Sequence, residues 1–265
     1  MPFSRGHTAQ CADTQLRATK SVTILVCTPD VNSRLARRCI NSIKKHTPSV
    51  DYELLIFDNG GFGSFHHPLE INRALEIARG DALVTIDDDV EVTAGWLEAM
   101  LDLAHPDVGI VGCVNLNSRR RARNTVRHAG GWFELDGTAV NHQNSIEKPI
   151  AVPFVCSSCS LIADKSLRLS LDYKKYYQEA DLCLRCWETG KRVLVSPHRV
   201  YHYGQGQMEA LGCNRDEILA ATAEDLRTFR KNWVQSERLL KLYDRIRTLV
   251  DIPLPSAPQG DVTTG

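Results

Sequence analysis

The first half of the chain alternates between short apolar runs and longer segments with helical periodicity. Four apolar runs predict buried strands, at Ser21–Cys27, Tyr52–Asp58, Ala82–Asp87 and Val108–Val114. Three amphipathic segments between them predict helices, at Ser33–Lys45, Pro68–Ala78 and Ala94–Ala104. Because strands that alternate with helices of this length form βαβ units, we predict an α/β fold with a mostly parallel, Rossmann-like central sheet flanked by helices.

The regular alternation of apolar runs and helical segments ends near Asn115. The segment Asn117–His128 holds five arginines and few apolar residues, which favours a mobile loop that either binds a phosphate or is simply solvated. Strand character returns at Pro153–Ala163 and at Lys191–Pro197, and a short helix is predicted between them at Glu179–Gly190. From Asn214 to Val250 the period is helical, and its apolar faces favour packing on the sheet over a position on a membrane surface.

Three consecutive carboxylates, Asp87, Asp88 and Asp89, follow the third predicted strand. Adjacent carboxylates repel one another unless a cation neutralises them, and a hard cation with oxygen ligands, Mg²⁺ or Mn²⁺, fits this chemistry. Thr28 and Asp58 come at the ends of two further strands, at the sheet edge where α/β proteins bind their ligands. The pattern therefore indicates a metal site, and a solvated acidic turn is the alternative.

Composition narrows the possible partners. Lysine plus arginine and aspartate plus glutamate number 32 each, which argues against nucleic acid as the main partner. The sequence has no apolar run of the ~20 residues that a spanning helix needs and no apolar signal core, so we expect a cytoplasmic protein with at most peripheral contact at the inner membrane face. Nine cysteines favour reduced thiols. A zinc site is the alternative, formed by Cys156, Cys159, Cys183 and Cys186, although the gap between the two pairs exceeds the usual ribbon spacing.

Six segments resemble, in consistent order from Val22 to Trp233, the motifs of family 2 glycosyltransferases with the GT-A fold. They are VTILVCTPD, ELLIFDNGG, ALEIARGDALVTIDDDVEVTAGWLEAML, VPFVCSSCSLI, YYQEADLCLRCWETGKRVLVSPHRVYHYG and FRKNW. The resemblance implies transfer of a sugar, with inversion, from a UDP or dTDP donor to a hydroxyl of a saccharide, a lipid-linked molecule or a protein, as in cell-surface polysaccharide synthesis. It also implies Mn²⁺ or Mg²⁺ as the cofactor.

The resemblance assigns the metal site to Asp87, Asp89 and His202. Asp87 and Asp89 match the D-x-D pair, with Asp89 as the direct ligand and Asp87 contacting the ribose or reaching the ion through water. His202 matches the histidine that completes the coordination in metal-dependent members. Asp88 is expected to point the other way, because side chains alternate along an extended segment.

The resemblance assigns the catalytic base to Glu179, which aligns with the family's catalytic aspartate. The chain has Gln178-Glu179 where the family has Glu-Asp, so the side chain is one carbon longer and a neighbouring carboxylate is lost. Asp181 is the competing catalytic candidate, although a charge favoured by the helix dipole is its simpler interpretation.

The nucleotide-binding candidates are more dispersed along the chain. Asp58 matches the aspartate that contacts the pyrimidine, or it caps the DNGG turn. Thr28 and Asp30 replace a Thr-Tyr-Asn-like sequence that Pro29 alters. Asn72 and Asp88 complete the candidate nucleotide contacts.

Other function classes remain open. The DNGGFG turn superficially resembles a dinucleotide-binding turn, but its glycine spacing does not match. A phosphatase with an aspartyl nucleophile would carry D-x-D on its first strand, whereas here the motif follows the third. A catalytically weak nucleotide-sugar-binding protein of the same fold is the more serious alternative, because of Gln178 and Pro29.

The domain organisation follows from these assignments. We expect a flexible arm over residues 1–20 and a GT-A catalytic domain over 21–213, with a nucleotide-binding half at 21–114 and an acceptor half at 115–213. A helical segment over 214–250 and a disordered tail over 251–265 complete the chain. The sugar, the acceptor and the oligomeric state are not specified by these patterns.

Overall fold

A computed structural model describes residues 21–59, 66–117, 124–174, 176–204 and 215–256. The expected N-terminal arm, residues 118–123 of the arginine-rich loop and the end of the tail lie outside these residues. Eleven strands are described: β1 Val22–Thr28, β2 Tyr52–Asp58, β3 Ala82–Asp87, β4 Val90–Glu91, β5 Val108–Asn117, β6 Val126–His128, β7 Gly131–Phe133, β8 Ala139–Asn141, β9 Ile150–Ala151, β10 Cys159–Ile162 and β11 Arg192–His202. The helices are α1 Arg34–His46, α2 His67–Ile77, α3 Trp96–Leu101, α4 Gln178–Glu188, α5 Arg215–Phe229, the π-helical turn Arg230–Val234 and α6 Arg238–Ile246.

The central sheet has the strand order β2-β1-β3-β10-β5-β11-β4, with β6 added to β5 and β9 to β11. β1 pairs in parallel with β2 and β3, and β11 pairs in parallel with β5. β10 is antiparallel to both β3 and β5, so the long strands on its two sides run in one direction. The predicted fold class, a mixed α/β fold with a large, mostly parallel sheet flanked by helices, is confirmed.

Local sequence explains why the first βα unit forms as predicted. Every residue of β1 is buried, as expected for a strand covered on both faces. The Ser33 side chain accepts a hydrogen bond from the Ala36 N–H at 3.0 Å, which satisfies one free donor at the start of α1. The helix then buries Ala36, Cys39, Ile40 and Ile43, which lie on one face at helical spacing.

Several boundaries differ from the prediction for identifiable reasons. α3 begins only at Trp96, because Gly95 before it has φ +80°, outside the helical region. β11 continues past Pro197 to His202, since a register shift between Ser196 and Arg199 accommodates the proline. Val126–His128 forms a strand paired with β5 instead of the predicted loop.

The C-terminal helices pack on the rest of the chain, as expected. Phe229 and Trp233 are fully buried, and the Tyr243 hydroxyl bonds both the N–H and the carbonyl of Phe133. Leu219 is an exception, because it is 56% exposed. The chain stays packed beyond α6: Ile252 is buried, and the Asp251 carboxylate accepts the Ala151 N–H at 2.7 Å, so the described start of the tail is not disordered. No helix in the described part of the chain has the length and apolar character to span a membrane.

Candidate active site

The sheet topology brings the acidic turn and the end of β11 together. Asp87 ends β3, and the chain then turns so that β4 pairs antiparallel with β11 at Val90 and His202. The Tyr203 N–H donates to the Asp89 carbonyl at 3.0 Å, which holds the two segments in register. Two segments more than one hundred residues apart in sequence therefore meet at the carboxyl edge of the sheet, where α/β folds bind ligands.

Asp87, Asp89 and His202 form a compact donor cluster at this edge. The His202 Nε2 atom lies 3.2 Å from Asp89 Oδ1 and 3.9 Å from Asp87 Oδ2, and one ligand atom from each residue falls within 4.8 Å of the others. Two carboxylate oxygens and one imidazole nitrogen suit a divalent cation such as Mn²⁺ or Mg²⁺. Within the described residues this is the one group of three or more potential metal ligands.

The pKa values of His202 and Asp89 shift in the directions expected for two groups that form an ion pair. Burial lowers the pKa of His202, but the hydrogen bond and charge of Asp89 outweigh it and raise the pKa above its usual value. Burial acts to raise the pKa of Asp89, yet the bonds from His202 and from the Gly204 N–H hold it below the usual value. Without a cation, the imidazolium therefore neutralises the Asp89 carboxylate.

The alternative zinc site receives no support from the structure. Cys156, Cys159, Cys183 and Cys186 are all described, and none belongs to a cluster of potential metal ligands. Cys183 and Cys186 are buried in α4, and burial raises the pKa of Cys186 to about 12, so its thiol stays protonated. All cysteines in the described part of the chain are free thiols, as the composition predicts.

Asp88 points away from the cluster and contacts Thr28 instead. The Thr28 hydroxyl donates to Asp88 Oδ2 at 2.6 Å, and both residues are almost completely buried. Burial and the charges of Asp89 and Asp87 raise the pKa of Asp88 to about 7, against the effect of the Thr28 bond. These two side chains therefore bond each other, and the nucleotide contacts expected of them stay predictions.

The remaining nucleotide candidates have different surroundings. Asp58 is exposed at the end of β2, at the ligand-binding edge, opposite Thr28 in the neighbouring strand. Asp30 accepts the Asn32 N–H at 2.8 Å in the turn before α1. Asn72 uses both side-chain polar atoms on the backbone of Leu169, at 2.8 and 2.9 Å, so its amide joins α2 to that segment, and its nucleotide contact stays a prediction.

The first turn of α4 holds the two candidate base residues, and their environments are opposite. Asp181 is buried and accepts hydrogen bonds from Trp233 Nε1 at 2.8 Å and Tyr173 OH at 3.4 Å, with Arg185 Nε 2.8 Å away. Glu179 has one carboxylate oxygen, Oε2, that is buried without a hydrogen-bond partner among the described residues. Burial, with the charges of Asp87 and Asp225, raises the pKa of Glu179 to about 7.

Two residues that sequence reasoning missed shape the segment before Glu179. Asp225, fully buried on α5, accepts the backbone N–H groups of Lys174 and Tyr176 at 2.8 and 2.7 Å. Tyr177 has φ +64°, a strained conformation for a residue with a side chain, and its ring packs 5.1 Å from that of Phe229. The C-terminal helices thus hold the turn that presents Glu179, and no local pattern in the sequence signals either contact.

A basic group borders the other side of the metal cluster. The Arg127 guanidinium packs against Gly204, where a β-carbon would collide with it, and its charge lowers the pKa of Asp89. Burial, together with the charges of His202, Arg127 and His142, lowers the pKa of His128 to about 4 and keeps that imidazole neutral. Arg127, the one arginine of the arginine-rich segment among the described residues, therefore lies near the cluster.

Part of the chain is similar in sequence to a known protein family. Residues 69–169 match the family model described as Glycosyl transferase family 2. The uncharacterized protein y4gI of Sinorhizobium fredii (strain NBRC 101917 / NGR234) is 29% identical over 150 residues, which cover 47% of this chain and 16% of that protein. The chain therefore spans a small part of this relative.

Two solved structures are distantly similar. A197 from STIV has a TM-score of 0.45 and 13% identity, over 69% of this chain and 85% of that one. S. aureus TarS 1-349 has a TM-score of 0.44 and 12% identity, over 86% of this chain and 73% of that one. The family assignment depends on the sequence match, which includes the acidic turn and ends before Glu179 and His202. Residues 69–169 are therefore similar to glycosyl transferase family 2, in agreement with the resemblance that the motifs show.

Proposed function

We propose that this protein transfers a sugar from a UDP or dTDP donor to an acceptor hydroxyl, with inversion at the anomeric carbon. Asp87, Asp89 and His202 would hold a divalent cation, and Glu179 would act as the base. The observation that carries the proposal is the unpartnered buried oxygen of Glu179, whose carboxyl responds to the charge of Asp87 in the donor cluster. A base and a cation site within electrostatic range of each other are what this reaction requires.

The chemistry of the cluster suits a diphosphate leaving group. Asp87, Asp89 and His202 would hold a divalent cation, which when bound would supply positive charge to stabilise the leaving nucleoside diphosphate. Arg127 lies beside the same cluster and would contribute a second positive charge, through donors suited to phosphate oxygens. Asp58 stands exposed at the same sheet edge and would accept the N–H of the pyrimidine.

Glu179 would take the proton of the acceptor hydroxyl. As the acceptor oxygen bonds to the anomeric carbon, the bond from that carbon to the diphosphate oxygen breaks, and the hydroxyl proton moves to the Glu179 carboxylate. A pKa of about 7 suits this role, because a base with a pKa near the working pH is both available and strong enough. Asp181 would not serve as the base, since three side chains already occupy its carboxylate.

The first test is a thermal-shift screen of nucleotide sugars, with and without Mn²⁺ or Mg²⁺. A ligand that binds only the folded state raises the apparent melting temperature, so UDP- or dTDP-sugars should stabilise the protein only when the metal is present. Hydrolysis of the stabilising donor then distinguishes an enzyme from a binding protein. Stabilisation without any hydrolysis or transfer would favour the catalytically weak alternative that Gln178 and Pro29 suggest.

A further inference from the structure

The charged side chains of helix α1 are all basic. Its thirteen residues include five lysines and arginines and no carboxylate, although the chain as a whole has equal numbers of basic and acidic residues. The apolar face packs on the sheet, so the basic side chains share the outer face. Arg34 and Arg37 lie in the first turns, where the helix dipole disfavours positive charge. Helix stability therefore does not explain their presence.

A cleft of about 550 Å³ opens beside these basic residues, between α1 and β4. Its charged lining consists of Arg34, Arg37, Arg38 and Lys45, with Glu91 as the one carboxylate, and His46 also borders it. Asn32 and Asn41 add neutral polar groups. The volume is large enough for a group of several heavy atoms, and the lining favours an anion.

The basic side chains of the cleft are not neutralised by neighbouring carboxylates. Arg34, Arg37 and Lys45 take part in none of the ion pairs formed among the described residues. Arg37 bonds the neutral Asn32 side chain at 3.0 Å. Glu91 accepts the Tyr203 hydroxyl at 2.7 Å, and the Arg38 guanidinium lies 4.6 Å from the centre of the Tyr203 ring. The cleft therefore retains a net positive charge.

We propose that this cleft binds a phosphate-bearing anion, distinct from the donor diphosphate. Guanidinium groups donate paired hydrogen bonds that match phosphate oxygens, and several of them on one helix face suit a di- or triphosphate or the headgroup of an anionic lipid. Glu91 and Tyr203 connect the cleft to the cluster, because they follow Asp89 and His202 closely in sequence. A phosphorylated acceptor or a membrane surface bound there would lie beside the transfer site.

The test uses inorganic tripolyphosphate as the probe, titrated calorimetrically into the metal-free protein with EDTA present. Arg37→Glu reverses one charge in the cleft, and Lys44→Glu is the matched control, because it reverses one charge on the same helix outside the cleft lining. We expect saturable binding that Arg37→Glu weakens by at least ~10-fold and Lys44→Glu by less than ~2-fold, since a charge-assisted hydrogen bond contributes roughly a factor of ten. Arg34→Gln should weaken binding in the same direction and serves if Arg37→Glu does not fold.

Two further experiments test whether the bound phosphate belongs to a lipid headgroup and whether the ligand binds in the cleft or in the donor site. Sedimentation with vesicles of phosphatidylcholine, with and without phosphatidylglycerol, tests a lipid headgroup, and dependence on Arg37 in this arm would identify the membrane as the source. In a parallel titration without EDTA and with Mg²⁺ in excess over both ligands, so that UDP can occupy the donor site, excess UDP should leave tripolyphosphate binding unchanged. Displacement by UDP, equal effects of Arg37→Glu and Lys44→Glu, or no saturable binding of either probe would overturn the proposal. None of these measurements requires glycosyl transfer, so the result is independent of the proposed activity.

Discussion

The strand edge at Asp87 and Asp89 and the first turn of α4 both bring two carboxylates close together, but their surroundings differ. At the strand edge, both carboxylates lie near the His202 imidazole, and the charge of Arg127 also acts on Asp89. In α4, Asp181 receives bonds from three side chains, whereas an oxygen of Glu179 is buried without a partner in the described residues.

Under the proposed function, this difference separates Asp181, which has a structural role, from the proposed base Glu179. A buried polar atom without a hydrogen bond costs free energy, and Glu179 Oε2 is one of several such atoms among the described residues. Asp181 joins α4 to the C-terminal helices through Trp233, and its carboxylate accepts hydrogen bonds from three side chains. The buried Oε2 atom of Glu179 has no partner among the described residues, and under the proposed function a substrate hydroxyl would bond it.

The largest effect should come from the strand edge. Asp89→Ala should abolish metal-dependent donor binding, because it removes a charged ligand from a three-residue donor set. The measurement is a Mn²⁺ titration with UDP or dTDP present. His198→Ala is the control, since His198 lies on the same strand but bonds Thr93 outside the cluster. Unchanged Mn²⁺ affinity in Asp89→Ala would remove the cluster as the metal site.

In the first turn of α4, Glu179→Gln should lower turnover by ~100-fold or more, which is the usual scale for loss of a general base. Donor and metal binding should persist in this variant. Wild-type turnover should also fall as the pH drops below about 7, because protonation of Glu179 removes the base. Turnover is measured at saturating donor as a function of pH. If Asp181→Asn is inactive and Glu179→Gln is near wild type, the base must be reassigned to Asp181.

Asp181→Asn should reduce stability more than activity. The variant loses the charge that Arg185 pairs with inside the protein, and we expect a loss of about 1–3 kcal/mol in the free energy of unfolding. Urea denaturation measures this loss. Glu188→Gln, which removes a partly exposed ion pair with Arg238, is the matched control and should cost less than about 1 kcal/mol. Equal losses in the two variants would contradict a structural role for Asp181.

The smallest expected effect is a change of folding stability with pH, and it arises at Glu179 in α4. Because burial raises the pKa of Glu179 from 4.5 to about 7, its ionisation destabilises the fold progressively between these values. In EDTA at pH 8, Glu179→Gln should therefore be more stable than wild type by about 1–3 kcal/mol, and the difference should vanish below pH 4.5.

Glu53→Gln provides the control of opposite sign. The Arg79 N–H and the Thr23 hydroxyl lower the pKa of Glu53, so the ionised carboxylate stabilises the fold. Its replacement should destabilise the protein at neutral pH, and this effect should disappear as the pH falls through the lowered pKa. A stability difference for Glu179→Gln that does not change with pH would contradict a buried, titrating Glu179.

The metal cluster was predictable in outline because its signals are local. An apolar run that ends in Asp87 and Asp89 identifies a strand end, and the motif containing His202 supplies the third member. Asp88 lies in the turn after β3 and not in an extended strand, and its side chain is directed away from the cluster, as expected, by its bond with the Thr28 hydroxyl. The partners of Thr28, Asp88 and Asn72 were not predictable, because burial and pairing with the backbone depend on neighbours distant in sequence.

The sequence alone determined the alternation of strands and helices, the fold class and the position of the acidic turn, because periodicity, helix capping and strand ends are properties of neighbouring residues. Tertiary structure decided which carboxylates are satisfied. Asp225 reaches the turn before Glu179 from α5, and Trp233 reaches Asp181 from the C-terminal π-helical turn, across about fifty residues of chain. A residue's burial and its hydrogen-bond partners are set by segments that meet only on folding, so two acidic residues on one helix turn look alike in sequence and differ in the folded protein.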